Sequence, residues 1–345
     1  MHKGISIAVP VYKSGSLLTQ LVSNIRSQKL LDGSSIEILI IDGENSKVTE
    51  QFCENNNLIY IPNPDKDSVT ARIKGLKSAK NDLVCFLDQD EIFDSDAAIQ
   101  TRLNKFTEHQ SLIILFSSGY CIGDYMSTSN MYSSLFGDPF NQFLYNFPNN
   151  SNRIKNILKK YNFKKVENMI LNSRKSDNTK QVIMEFGNMG SVVHRSRLYS
   201  CIIRELNPYD LPDLFYILLP NLNTIGILDG DEILHFSSDK WATTRSKINW
   251  RIRNNLNFEN SNINLSSLSA RHGRVNGNGL LLQKMCFVLF NIIPIWSTFT
   301  ALRLVVKYHR FGFLNIIPLC YYVIFNYGFL KFKLGIRKYS LGNLK

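Results

Sequence analysis

Apolar positions in the first hundred residues alternate between two periods. "ISIAVPVY" (5–12), "IEILIID" (36–42), "LIYIP" (58–62) and "LVCFLD" (83–88) are nearly continuous apolar runs, the pattern of strands buried on both faces. Between them, "SLLTQLVSNIRSQ" (16–28) sets Leu17, Leu18, Leu21, Val22 and Ile25 on one helical face, with Ser14 or Ser16 available as N-cap. A second helix is expected to run to about Asn56, and a third over "DSVTARIKGLKSAK" (67–80). This alternation predicts an α/β fold, a mainly parallel sheet with helices on both faces. Ligands of such sheets collect beyond the carboxyl ends of the strands. Tyr12, Asp42, Pro62 to Asp65, and Asp88 to Glu91 all fall at such ends, so they are predicted to converge.

The middle of the chain is less regular. "SLIILFSS" (111–118) and "QVIMEFGNMGSVVH" (181–194) read as strands, and "RIKNILKKYNFKKVENMIL" (153–171) reads as a basic amphipathic helix. "LPDLFYILL" (211–219) suits a helix with Pro212 in its first turn. "TIGILDGDEILHF" (224–236) predicts two short strands around a turn at Asp229-Gly230. Beyond 238, Trp241, Ile248 and Ile252 lie among Arg245, Lys247, Arg251 and Arg253, and a polar loop is expected over 259–279. Two uncharged apolar runs follow, 285–302 and 311–330, of 18 and 20 residues, with Pro inside and basic flanks. These lengths sit at the lower edge of a bilayer span. A hairpin in the bilayer, an interface-lying pair, and two core helices all fit; membrane contact is the preferred reading.

Charge sharpens that division. The 345 residues carry a net charge of +12, yet residues 1–100 hold ten Lys/Arg against fourteen Asp/Glu. Residues 240–345 hold sixteen Lys/Arg against one acid, Glu259. Such asymmetry points to a ligand-binding front and a tail that meets something anionic, either nucleic acid or a membrane surface. Aromatics of the tail lie in uncharged runs rather than between Lys/Arg, so no nucleic acid is expected. Lys331, Lys333, Arg337 and Lys338 read as contacts to anionic headgroups. Six scattered cysteines, with no C-x-x-C spacing, argue against a zinc ribbon or disulfide framework and fit a reducing compartment. The opening "MHKGISIAVPVY" reads as a strand rather than a signal peptide.

Candidate chemistry concentrates in "LVCFLDQDEIF" (83–93), where a buried strand ends in Asp88, Asp90 and Glu91. Like charges at one strand tip repel, so a cation among them is expected. Asp88-Gln89-Asp90 suits Mg²⁺ or Mn²⁺ shared with phosphate oxygens. A lone D-x-D is common in surface turns; the three preceding strand–helix units give this one weight. Glu91 is taken as a solvated neighbour or as a group that supports the metal-facing carboxylates from behind.

These segments resemble the inverting, GT-A fold glycosyltransferases of family 2. The resemblance is carried by "SIAVPVYKSGSLLTQLVSNIRSQ", by "EILIIDGENSKVTE", similar to I-D-G-G-S-T-D-x-T, and by "IPNPDKDSVTARIKGLKSAKNDLVCFLDQDE", similar to P-D-K-G-x-x-x-A-x-N-x-G leading into D-x-D. It covers residues 4–100 well and 181–237 loosely. It implies a GT-A catalytic domain over 1–237 (a nucleotide-sugar half, 1–110, and an acceptor half, 111–237), a basic helix and loop over 238–278, and a membrane-associating segment over 279–345.

The resemblance implies roles residue by residue. Pro10, Val11 and Tyr12 border the base, Asp42 accepts from base or ribose, and Asp65 closes that pocket. Asp88 touches ribose, a metal-bound water or the metal, Gln89 lies with the donor, and Asp90 ligates the Mn²⁺ or Mg²⁺. His235 matches a His near metal and diphosphate. The family Gly after P-D-K is Asp67 here, its Asn is Lys74, and S-T-D is N-S-K; Arg72 and Lys74 then add positive charge near the diphosphate. "FGNMGSVVHRS" (186–196) resembles the acceptor loop and "PYDLPDLFY" (208–216) the helix start that bears the base. With Asp213 aligned to the final Asp, the base position falls on Leu211, so both Asp210 and Asp213 stand as candidates, and either also suits an N-cap. Trp241, Trp250 and the arginines of 245–253 suit either an acceptor lining or a membrane-lying helix. His194 and His272 are taken as structural. The implied activity is transfer from a nucleotide-sugar to a lipid-linked glycan at the cytoplasmic face of a membrane, in surface polysaccharide or glycoprotein assembly. A nucleotidyltransferase acting on sugar phosphates and a membrane-docked, non-catalytic scaffold are the alternatives.

Overall fold

The computed structural model describes residues 4–13, 15–145, 148–160, 163–172, 189–201, 211, 214–218, 221–237, 239–260 and 277–342. Strands β1 (Gly4–Val11), β2 (Ser35–Asp42), β3 (Ile59–Pro62) and β4 (Leu83–Phe86) form the parallel half of a nine-stranded sheet, in the order β3-β2-β1-β4. Register brings Val11, Asp42 and Pro62 to one level at the carboxyl edge. Its mixed half adds β10 (Ser191–His194), β6 (Ile114–Phe116), β11 (Ile225–Leu228), β9 (Met169–Asn172) and β8 (Phe163–Val166), with β10 antiparallel to β4 and to β6. The expected α/β class is therefore present, with antiparallel strands confined to the later half.

Alternation along β1 explains the two-sided cover. Ile5, Ile7, Val9 and Val11 join one core with Leu18, Leu21, Val22 and Ile25 of α1 (Ser16–Arg26). The other face takes α3 (Ser68–Ser78) at Gly75, where an added Cβ would stand 2.5 Å from the Cβ of Ala8. Each fully buried Ile or Leu here contributes about 1.5–3 kcal/mol relative to exposure. Ser46 caps α2 (Lys47–Asn55) by accepting from Val48 N, and Asp67 caps α3 by accepting from Thr70 N at 2.8 Å. Asp67, which stands where the resemblance expects a glycine, thus has a local structural role. The N-cap of α1 is Gly15, with no side-chain bond, and Ser16 is already helical, which corrects the expected serine cap.

Helix α4 (Ala98–Glu108), not anticipated, buries Ile99, Leu103 and Phe106 in the same core. The helix expected over 153–171 is corrected: α7 covers Arg153–Lys160, and β8–β9 form a hairpin turning at Glu167, whose φ is 51°. Local charge in "KKV" masked a strand edge, where such charge is common. The strands expected around Asp229-Gly230 do form, but β11 joins the large sheet. Its successor β12 (Glu232–His235) joins β5 (Glu91–Phe93) and β7 (Gly119–Tyr120) in a small sheet ordered β5-β12-β7.

The chain divides into two compact units: 1–122 with 149–179 and 185–236, and 123–148 with 180–184 and 237–345. The first holds both sheets and, among its helices, α8 (Arg195–Cys201) and α9 (Leu214–Leu218). The second holds α5 (Thr128–Phe136), α6 (Pro139–Tyr145), α10 (Trp241–Asn260), α11 (Gly277–Ile292), α12 (Ile295–Tyr308), a 3-10 turn (Phe311–Asn315) and α13 (Ile316–Gly342).

Candidate active site

Four strand ends and the small sheet supply the site. Where β4 stops, Gln89 reaches the end of β1: its amide donates to Tyr12 O at 3.1 Å, and Tyr12 N donates to its Oε1 at 3.3 Å. The Tyr12 ring is left exposed. Arg72 of α3 forms an ion pair with Asp88. Burial disfavours the Arg72 charge, but attraction to Asp88 and the hydrogen bond that Arg72 donates to it outweigh that cost, and its pKa rises. Arg72 Nε is buried without a hydrogen-bond partner among the described residues. Tyr12, Arg72, Asp88 and Gln89 are thus brought together.

Asp90 faces the small sheet. Its carboxylate stands 3.6 Å from His235 Nε2, and its backbone carbonyl accepts from Phe236 N at 2.8 Å. His235 in turn stacks on Tyr120, with ring centroids 4.4 Å apart and planes 13° from parallel.

Of the two readings of Glu91, the structure sets aside the solvated one. Its side chain is buried, Oε1 accepts from the Tyr120 hydroxyl at 2.7 Å, and Oε2 accepts from Asp88 N at 3.0 Å. Burial and then the nearby Asp88 carboxylate push its pKa up to about 8. Burial and then Glu91 likewise push Tyr120 well above the usual phenol range. Neither Tyr120 nor the buried role of Glu91 was legible in sequence. The one local signal was Glu91 and Phe93 on the same side of a three-residue strand.

The remaining residues expected at the site occupy the adjacent strand ends. Asp42 is buried, and its oxygens accept from Glu44 N at 2.9 Å and Ser46 N at 2.7 Å, which shapes the β2–α2 loop. Pro10 and Val11 pair with Ile41 and Asp42 across the sheet. Exposed Asp65 lies 3.5 Å from Lys74, whose Nζ also donates to Pro62 O. Asp210, Asp213 and His272 lie outside the described residues. His194 is buried, beside Ser196 Oγ and the Phe106 ring.

Among the described residues no cluster of three or more His, Cys, Asp or Glu side chains is arranged to hold a metal ion. The facing pair Asp90 and His235 nonetheless fits an Mg²⁺ or Mn²⁺ of the kind held by one or two protein groups and completed by substrate phosphates.

The family model for glycosyl transferase family 2 matches residues 6–158. "Uncharacterized glycosyltransferase RC0461" of Rickettsia conorii is 30% identical over 152 residues, 42% of this chain and 24% of that protein. "Minor teichoic acid biosynthesis protein GgaB" of Bacillus subtilis is 26% identical over 114 residues, 31% of this chain and 12% of that protein. The chain thus matches a quarter or less of either relative. The mannosyltransferase PcManGT from Pyrobaculum calidifontis, solved in complex with GDP-Man and Mn²⁺, superposes with a TM-score of 0.49 at 10% identity, covering 94% of this chain and 86% of that one. Residues 6–158 of this chain are thus similar to glycosyl transferase family 2.

Proposed function

We propose that the chain moves a sugar, with inversion, from a nucleotide-sugar to the hydroxyl of a lipid-linked glycan at the cytoplasmic face of a membrane. The observation that carries this reading is the Asp88-Gln89-Asp90 turn, which lies in the segment similar to family 2, is tied to β1 through Gln89 and faces His235. The acceptor oxygen attacks the anomeric carbon while the bond from that carbon to the diphosphate oxygen breaks. The hydroxyl proton passes to a carboxylate, Asp210 or Asp213, and the nucleoside diphosphate departs. Asp90, with Asp88 and His235 beside it, would hold the divalent ion, which offsets charge on the departing diphosphate. Pro10, Val11, Tyr12 and Asp65 border the nucleotide, Asp42 shapes the loop beneath it, and Arg72 sets the Asp88 carboxylate. The lipid-linked acceptor is inferred from the basic, apolar tail, and surface polysaccharide or glycoprotein assembly is the process that uses such a product.

The test is a panel of nucleotide-sugars assayed for nucleoside diphosphate release with Mn²⁺ or Mg²⁺, in detergent, with and without lipid extract. Release from one donor, stimulated by lipid extract, is expected. Pyrophosphate as product would identify a nucleotidyltransferase instead, and no turnover of any donor would identify a scaffold.

A further inference from the structure

Helix α12 is amphipathic in the reverse sense to a helix in water. Its buried face carries Ser297, Thr300, Ala301 and Leu304. Its outer face carries Ile295, Phe299, Leu302 and Val306, at helical spacings of four, three and four. Ile295 is 60%, Phe299 68% and Val306 73% exposed. A soluble helix turns its large apolar side chains inward, and a contiguous exposed apolar strip marks an interaction surface.

The strip continues around a built elbow. Helix α11 exposes Leu282, Met285, Leu289 and Ile292, and Leu282–Ile292 meets Ile295–Tyr308 at a bend of 78°. The inside of the elbow is braced by Phe287, whose ring lies 6.0 Å from Trp296 and 5.4 Å from Phe143, and by Asn291 Nδ2, which donates to Phe287 O. Apolar groups therefore face outward on a packed scaffold.

Length and charge decide what covers this face. Helix α12 has 14 residues, about 21 Å, too short alone for a hydrocarbon core of about 30 Å, and the 78° bend turns α11 away from its axis. Helix α13 lies in the stretch Phe311–Lys333, which is long and apolar enough to cross a bilayer; Ile316, Leu319, Cys320 and Val323 are buried, while Phe325 and Phe329 are exposed. Arg303 and Lys307 are exposed between and beside the apolar positions of α12, and Lys331 and Lys333 flank exposed Phe332 of α13. With sixteen Lys/Arg against one acid over 240–345, a second copy of this face would be repelled and an anionic surface attracted.

We infer that the α11–α12 elbow, with the exposed phenylalanines of α13, is a monotopic wedge that enters one leaflet of an anionic bilayer without crossing it. Ile292, Ile295 and Phe299 enter the acyl region, and Arg303 and Lys307 extend to the headgroup phosphates. This inference stands independently of sugar transfer, since vesicle binding is measured without any substrate.

The full chain is tested by flotation with vesicles of equal parts phosphatidylglycerol and phosphatidylcholine, and with phosphatidylcholine alone. Binding is expected to be about tenfold stronger to the anionic vesicles and to weaken with salt. Phe299→Ser with Val306→Ser lowers binding to background with an unchanged melting temperature, and Arg303→Glu with Lys307→Glu lowers it about tenfold. The fluorescence gained in Phe299→Trp is quenched best by bromines near the headgroup. The inference is overturned by equal binding to both vesicles, by full binding of the serine variant, or by strongest quenching from bromines at the bilayer centre. A lipid-free dimer dispersed by the serine variant would overturn it in favour of a second copy.

Discussion

The Tyr120 hydroxyl donates to Glu91 Oε1 at 2.7 Å while the same ring stacks on His235 at 4.4 Å. One side chain thereby links the acidic turn after β4 to the histidine of β12, although His235 lies more than a hundred residues away in sequence. Tyr120→Phe keeps the stack and deletes the hydrogen bond. With a buried carboxyl oxygen left short of a donor, unfolding free energy is expected to fall by about 1–3 kcal/mol. Because Glu91 also accepts from Asp88 N, the divalent-ion half-saturation for donor turnover is expected to rise about tenfold. Denaturant unfolding and a Mn²⁺ titration of nucleoside diphosphate release measure the two effects.

The part of this site that was legible in sequence is the part built from consecutive strand–helix units. Continuous apolar runs marked β1, β2, β3 and β4, and the polar residues following them identified Tyr12, Asp42, Asp65 and Asp88 as strand-end groups. The illegible part depends on pairing between distant segments. Strand β5 has three residues and β7 two, below the length at which periodicity is detectable, and both are defined by pairing to β12. Burial of Glu91 follows from that pairing, so local acidity alone left a solvated and a supporting role both open. A similar limit hid the β8–β9 hairpin, because Lys164 and Lys165 continue the charge pattern of the preceding helix.

Beneath the small sheet, Arg102 makes a two-pronged contact with Asp231, Nη1 to Oδ1 at 3.1 Å and Nη2 to Oδ2 at 2.6 Å. Its other donor contacts go to Gly190 O, Ala98 O and Ser117 Oγ, and the guanidinium lies 4.7 Å from the Phe93 ring centroid. Asp231→Ala leaves a fully buried cation without its carboxylate, a loss of about 3–5 kcal/mol. Arg102→Met combined with Asp231→Leu is expected to recover much of that loss. Urea unfolding of Arg102→Met, Asp231→Leu and the pair gives the coupling.

Gly190 adopts φ +56°, and a Cβ there would stand 2.8 Å from Ile233 Cδ1 and 3.0 Å from Ser117 Oγ. Gly190→Ala therefore combines left-handed strain with overpacking beside β12. A loss of about 1–3 kcal/mol is expected, seen as a lower denaturation midpoint. Gly230→Ala, where φ is +79° and nothing lies within 4 Å, separates the strain from the overpacking and should cost less.

Burial pushes the Cys85 thiol from its usual range up to about 12. The unfolded chain releases this proton near pH 9 and the folded chain retains it, so the folded state binds more protons in between. Stability conferred by the neutral thiol is fully present below pH 9 and declines as pH rises toward 12, by at most about 1.4 kcal/mol per pH unit for the single group. Cys85→Ala should flatten that limb by one proton while lowering stability near neutrality through the lost packing. Unfolding curves between pH 8 and about 11 check the slope.

Asp90 and His235 face each other at 3.6 Å, and the Asp90 backbone separately accepts from Phe236 N. Asp90→Asn preserves side-chain shape and the backbone bond, so it removes charge while leaving the junction with β12 intact. If this carboxylate holds the divalent ion, the variant keeps its melting temperature but needs far more Mn²⁺. Its saturated turnover should fall on the order of 100-fold, the scale on which loss of one charge-stabilising group acts. His235→Gln, which removes the imidazole and leaves Asp90 ionised, should raise the metal requirement with a smaller loss of turnover. Measured as nucleoside diphosphate release against Mn²⁺ concentration, full metal-dependent activity in Asp90→Asn would sink the assignment of the ion to this turn.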